Sequence, residues 1–294
     1  MHKKKASAFD IINIFIMIIL IFVMFYPFLY MINVSLSSKL FVMKNSVTFW
    51  PRGFTLEWYK MVFGDSRIGI GYKNTIIYTI LGMCISLLAT SAAAFALSRP
   101  KLIFRKAIAL AMVFTILFGG GMIPSFLVVK WMGMYNTIWG FILPGIISTY
   151  YILIFRTHFE GLPEDLFDSG RIDGMEEIGL FFCIAVPLSK AIYAAIGLFV
   201  CVEIWNNYQN AIIYLRDPEL FPLQVVMRDL IIAGSTAGSI AADASTRSVS
   251  QGRESVVTSL KYATIMVSTL PILCTYPFLQ KYFVKGVMIG AIKA

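Results

Sequence analysis

Apolar runs of about 20 residues recur along the whole chain, each long enough for a helix to cross the hydrocarbon of a bilayer. They fall at 11–34, 74–97, 107–129, 138–155, 191–214 and 262–284 of the 294 residues. With 58% of residues hydrophobic and 14% charged, a water-soluble domain could not hide its apolar surface, so the bilayer must be the solvent. Lipid offers no partner to an unpaired backbone N–H or C=O, so every span must be a helix. The expected fold is all-α and integral to the membrane, one transmembrane domain over residues 1–294 with about six spans.

Charge sets the expected orientation. The net charge of +9 would suggest nucleic acid in a soluble chain; here the basic residues read as anchors at helix ends. Lys3, Lys4 and Lys5 precede the first run, and Arg99, Lys101, Arg105 and Lys106 crowd the short loop after the second. Both places are expected in the cytoplasm, with both termini. The first run is longer than the ~7–15 residues of a signal-peptide core and no small-x-small site follows, so it is expected as an uncleaved span. Two long loops, 35–73 and 215–261, then lie outside. The first carries Trp50, Pro51, Trp58 and Tyr59, a composition suited to the membrane interface, and the second a Ser/Thr/Ala/Gly-rich stretch at 233–255 that reads as flexible loop.

Enzyme chemistry finds little to use. Cys84, Cys183, Cys201 and Cys274 stand apart without CxxC spacing and read as small apolar packing residues; His2 and His158 build no metal site. No His/Asp/Glu cluster or nucleophile–base pair is evident. There is no GxxxxGK[ST] segment to cradle nucleotide phosphates, so no cofactor is expected in this chain. Gly119, Gly120 and Gly121 sit inside an apolar run without the Lys-Ser of a phosphate loop, and read as helix flexibility or close packing. Ser86, Ser91 and Thr149 read as close-packing residues of other spans.

One segment, 157–189, sits on the expected cytoplasmic side yet carries Glu160, Glu164, Asp165, Asp168, Asp173, Glu176 and Glu177. Pro163 suits the first turn of a helix and Glu164 and Asp165 suit its positive end. Gly170 and Gly174, four apart, would leave a notch for close approach of another protein, and Leu166 and Phe167 would plug an apolar cleft in it. The pattern is a docking module: a short helix, a glycine break, and a second helix leading to Pro187.

This segment resembles the coupling loop of ATP-binding-cassette importer permeases, Glu-Ala-Ala, two residues, Asp-Gly, then Ile-x-Leu-Pro downstream. Asp168, Ser169 and Gly170 occupy the first triplet, each a departure conservative in size or charge; Asp173 and Gly174 match the Asp-Gly, and Ile184, Val186 and Pro187 the end. The stretch 124–144, the pair Trp205-Asn206 followed by Phe221-Pro222-Leu223, and the ending from Lys285-Gly286 to Lys293-Ala294 are similar to the second permease of carbohydrate importers, the maltose type. The resemblance implies as partners a homologous second permease, two cytoplasmic ATP-binding subunits holding ATP and magnesium, an extracytoplasmic solute-binding protein, a sugar, oligosaccharide above all, and the lipid bilayer; nucleic acid is not an expected partner. It also implies a C-terminal contact with the ATPases at Gly290–Ala294.

Within 191–214, Glu203, Asn206, Asn207 and Asn210 recur at helical spacing and would share a face. Glu203 would lie ~18 Å from the start of the span, where an ionisable group is costly and usually lines water or a site. Trp205 or Tyr208 could stack on a sugar. The stripe reads either as translocation path or as interhelical hydrogen-bonding glue. A second reading of the whole chain is a secondary transporter or channel that works without ATPase subunits.

Overall fold

The computed structural model describes residues 8–239 and 255–274. Among these, regular structure is helical, with one isolated antiparallel bridge between Ser37 and Phe54. In chain order the helices are α1 (Ala8–Ser35), α2 (Lys39–Met43), α3 (Glu57–Gly64), α4 (Ser66–Ser98), α5 (Arg105–Leu117), α6 (Met122–Trp131), α7 (Ile138–Ile142) and α8 (Thr149–Glu160). There follow α9 (Glu164–Ile172), α10 (Glu177–Leu180), a π-helical turn Phe181–Ala185, α11 (Val186–Leu188), α12 (Lys190–Asn206), α13 (Gln209–Tyr214), α14 (Leu223–Ser239) and α15 (Ser255–Cys274).

Three of these are long and apolar enough to cross a membrane: Phe9–Ser35, Ser66–Ser98 and Ser255–Cys274. Two bent pairs add candidates, Arg105–Leu117 with Met122–Trp131 at 116° and Glu177–Leu188 with Lys190–Asn206 at 85°. The third, fourth and fifth expected spans are therefore interrupted. The third breaks at Gly119–Gly121, where Gly121 adopts φ +84°, a value that only glycine holds without strain. Nothing lies within 4 Å of where a Cβ would stand on Gly119 or Gly120, so these glycines break the helix and do not serve close packing. The fourth is split into α7 and α8 around Pro144-Gly145, since proline lacks the N–H that would continue the ladder. The fifth ends at Asn206 and restarts at Gln209.

The stretch expected to be loop at 215–261 contains helix α14, so residues 233–239 are helix rather than loop, and 240–254 lie outside the described residues. The second half of the run 262–284 and the candidate contact Gly290–Ala294 lie outside the described residues.

The chain divides into two units. The first takes its described residues from Met1–Gly69 and Val226–Leu270. Its core is Val34, Val42 and Val47, with Tyr30 and Tyr262 against them. The connection after α1 is pinned by side chains: Trp58 Nε1–H donates to Ser37 O at 2.8 Å, Ser37 Oγ to Asn33 O at 2.6 Å, and Ser35 Oγ meets Tyr59 Oη at 2.8 Å. Trp58 is thus buried, whereas Trp50 is 79% exposed and available to an interface. Nearly all of α1 presents apolar side chains outward, as a helix in lipid must.

The second unit takes its described residues from Ile70–Val225 and Pro271–Ala294 and holds two apolar clusters. One gathers Phe95, Phe155, Phe159, Phe167, Leu180 and Phe181 from α4, α8, α9, α10 and the π turn. The other gathers Tyr78, Phe141, Ile142, Ala211, Leu215 and Val225. The Phe221-Pro222-Leu223 motif docks on α4: Asn74 Nδ2 donates to Glu219 O and Phe221 O, Tyr78 O–H to Leu220 O, and Leu223 N–H to Thr75 Oγ1 at 2.8 Å. Those bonds satisfy backbone groups of an irregular segment that lipid could not.

Candidate functional site

Two places in the second unit collect the residues singled out in the sequence. The first is the acidic hairpin. Pro163 stands at the N-cap of α9, one position ahead of the first turn, and Glu164 and Asp165 occupy the turn where the helix dipole favours negative charge. Gly174 closes the hairpin at φ +83°, with open space around it. α10, the π turn and α11 then lead through Pro187 to the 85° bend at Ser189.

Two expectations about this hairpin are corrected. Phe167 is no plug for a partner: it is 0% exposed and belongs to the aromatic cluster with Phe95, 6.0 Å away between ring centroids. Nor is Gly170 an outward notch. A Cβ there would stand 2.6 Å from Leu180 Cδ2 and 2.9 Å from Ile184 Cδ1, so the closeness serves the packing of α9 on its own second arm. The apolar side chains left outside are Leu166, Ile172, Met175 and Ile178, with Ile172 86% exposed. Asp165, Asp168, Ser169 and Asp173 share that exposed surface. The reason is geometric: on a helix of nine residues facing a core, one side is consumed by the core, and the rotation that puts Phe167 and Gly170, three apart, on that side leaves Leu166 outside.

The acids are organised by two arginines. Arg171 reaches Glu164 at 3.3 Å, Asp168 at 2.8 Å and Glu177 at 3.2 Å, joining both arms of the hairpin. Arg99, just past the end of α4, has its guanidinium 4.7 Å from the Phe95 ring centroid and 4.1 Å from that of Phe167. It also donates to Glu164 Oε2 at 3.3 Å and Phe159 O at 3.4 Å. Burial pushes its pKa down and the Glu164 carboxylate pushes it back. Sequence reasoning read Arg99 only as an anchoring charge; that it directly follows the apolar run while three other basic residues lie further on was the available signal.

The second place is a cavity of about 200 Å³ lined by Ser86, Tyr151, Glu203, Asn207 and Asn210 with apolar neighbours. The break after α12 divides the expected stripe. Glu203 faces the cavity, its carboxylate accepting one long 3.5 Å bond from Tyr151 O–H. Asn207 Oδ1 accepts from Asn210 N–H, and Asn210 Nδ2 donates to Phe141 O and Pro144 O, so these two hold the broken backbone while lining the cavity. Asn206 turns elsewhere, donating to Val202 O and accepting from Gln224. Trp205 is buried edge-on to Tyr72. Ser86 Oγ donates to Ile146 O at 2.6 Å, and Gly82 is met by Ile204, so α4 packs directly along this cavity.

No protein-family model matches the chain. It is 36% identical to the Bacillus subtilis protein LplC over 294 residues, all of this chain and 98% of that one. It is 35% identical to the polygalacturonan/rhamnogalacturonan transport system permease protein YtcP of the same organism, over 98% of this chain and 99% of the relative. Among solved structures it resembles a chain of a bacterial ABC transporter involved in the import of the acidic polysaccharide alginate, with TM-score 0.84 and 27% identity over 96% of this chain and 99% of that one. A multi-pass helical chain that matches such permeases over nearly their full length belongs to the permease subunits of carbohydrate importers of the ATP-binding-cassette class.

Proposed function

We propose that this chain forms half of the path of an ATP-driven oligosaccharide importer, with a homologous permease as the other half. Two ATP-binding subunits carry ATP and magnesium on the cytoplasmic side, and a solute-binding protein delivers the sugar outside. The observation that carries the reading is the acidic hairpin: an exposed apolar strip, Leu166, Ile172, Met175 and Ile178, flanked by Asp165 and Asp173 and standing on a rigid buried base. Apolar side chains left in water beside charges mark a surface built for another protein. In this reading Glu164, Leu166, Asp168, Ser169, Asp173 and Gly174 shape the ATPase contact, Phe167 and Gly170 support it from beneath, and both termini lie in the cytoplasm. The similarity to permeases named for polygalacturonan/rhamnogalacturonan and alginate import supports an oligosaccharide over a monosaccharide.

The cavity beside α4 and α12 is the corresponding candidate for the sugar path. A carboxylate, a phenol, a serine hydroxyl and two amides offer the donors and acceptors that sugar hydroxyls need, and Tyr208, half-exposed nearby in sequence, offers a ring face. The test is ATP-dependent uptake of an oligosaccharide panel by liposomes holding the four-subunit complex and its binding protein. Uptake that persists without the ATP-binding subunits would return the chain to the secondary-transporter reading.

A further inference from the structure

A motor that pushes on the exposed face of α9 moves the sugar path only if α9 cannot slip against the rest of the unit. Covalently, α9 is held by the short turn Gly161-Leu162-Pro163 on one side and by Gly174 on the other. Its packing must carry the force, and among its neighbours α8, α10 and α4, α4 runs directly along the cavity. α4 is the right recipient: 33 residues long, it ends beside α9 and runs back past Ser86, which lines the cavity, and Gly82, which meets Ile204 of α12.

We propose that Arg99 is a positioning residue, a latch that binds α9 to α4 so that displacement of one is displacement of the other. Its guanidinium rests against one ring from each helix, Phe95 of α4 and Phe167 of α9, at the corner where the two rings meet, while its N–H groups hold Glu164 of α9 and Phe159 O of α8. The Arg99 side chain is 8% exposed, so its ring contacts act away from water, where cation–π contacts are strongest, whereas Glu164 is 51% exposed and that ion pair is partly screened. Glu164 passes the constraint to Arg171, which ties in Glu177 of the second arm. A lysine cannot replace this: an ammonium is a compact, strongly hydrated charge without the planar face and forked donors that reach two rings, a carboxylate and a carbonyl together. The inference rests on the reading of α9 as the ATPase contact.

The test uses the assembled importer with Cys183, Cys201 and Cys274 replaced by serine and a bimane label on Cys84, an exposed residue of α4. Its ATP titration reports movement of α4 without requiring the sugar to be known. In parallel, Ile172→Cys in an otherwise cysteine-free chain is cross-linked to the ATP-binding subunit. We expect the wild type to cross-link and to respond to ATP. Arg99→Met, Arg99→Lys and Phe167→Leu should cross-link as before while the ATP midpoint for α4 rises between roughly 5- and 150-fold, the usual range of coupling between sites. A variant that merely lost packing would lower the folded yield and leave the midpoint of the surviving complex in place. An unchanged midpoint in Arg99→Met and Phe167→Leu, with the cross-link intact, overturns the latch. Failure of the wild-type cross-link overturns the α9 reading instead, and the latch with it.

Discussion

Gly174 and Glu203 are single residues whose roles separate by substitution. At φ +83° with open space around it, Gly174 is needed for its backbone and not for its size. Gly174→Asn should therefore be tolerated far better than Gly174→Val, because asparagine reaches the left-handed region while a β-branched residue pays roughly 1–2 kcal/mol there or more. Uptake per ATP hydrolysed by Gly174→Val should fall while folded yield stays near that of wild type; equal uptake by the two variants would remove the hairpin geometry from the mechanism. Glu203 has a carboxylate committed to one long bond, so Glu203→Ala should lower uptake by roughly tenfold, the effect of one lost charge-assisted hydrogen bond, without loss of yield. Asn210→Ala is expected to cost stability as well. Its amide ties α13 to Phe141 O and Pro144 O, so thermal stability in detergent should drop by about 1 kcal/mol. If Glu203→Ala loses stability instead of uptake, the stripe is glue.

At the scale of elements, the bend between α11 and α12 is held from the side. Ser189, fully buried at the bend, shares a 3.1 Å hydrogen bond with His158 Nε2 of α8. Burial holds the His158 pKa below its ordinary 6.5. The folded chain therefore refuses a proton that the unfolded chain accepts once pH falls below that value. Stability is fully present above pH 6.5 and declines as the pH drops toward the folded-state pKa. Thermal midpoints of the purified complex between pH 8 and about 5 should fall on the acid side, and His158→Gln should flatten that part of the profile. A variant with the same acid limb as wild type would place the titrating group elsewhere. The same bend illustrates how much helices here depend on neighbours: α10, the π turn and α11 are individually too short to persist alone and exist because Leu180, Phe181 and Ala185 are buried beneath them.

For the whole molecule the decisive question is which side of the membrane holds the hairpin. In a cysteine-free background, Trp50→Cys should react with an impermeant maleimide in intact cells, and Ser169→Cys only in inverted vesicles, in line with the basic loops after the N-terminus and α4. Labelling of position 169 from outside would end the importer reading. Both positions are exposed in this chain, and omitting the ATP-binding subunits from the labelled cells and vesicles makes side and not burial decide the result.

Membrane class, helical structure, the acidic hairpin and its family were all legible in the residues. They depend on local quantities: apolar run length, the positions of lysines and arginines, and a motif confined to a few turns. Two long spans, α1 and α4, fell where hydropathy put them because a helix in lipid satisfies itself. The break at Gly119–Gly121 did not follow from hydropathy, since that run is as apolar as an unbroken one. Which of two adjacent residues, Leu166 or Phe167, faces the core is likewise a matter of helix rotation, settled by aromatic rings from α4 and α8 that are distant in sequence. The same holds for Arg99: residue type and position suggested a surface anchor, and only the meeting of three helices buried it against two rings. Solvent preference is encoded residue by residue, whereas the partners of a buried group are chosen when distant segments pack.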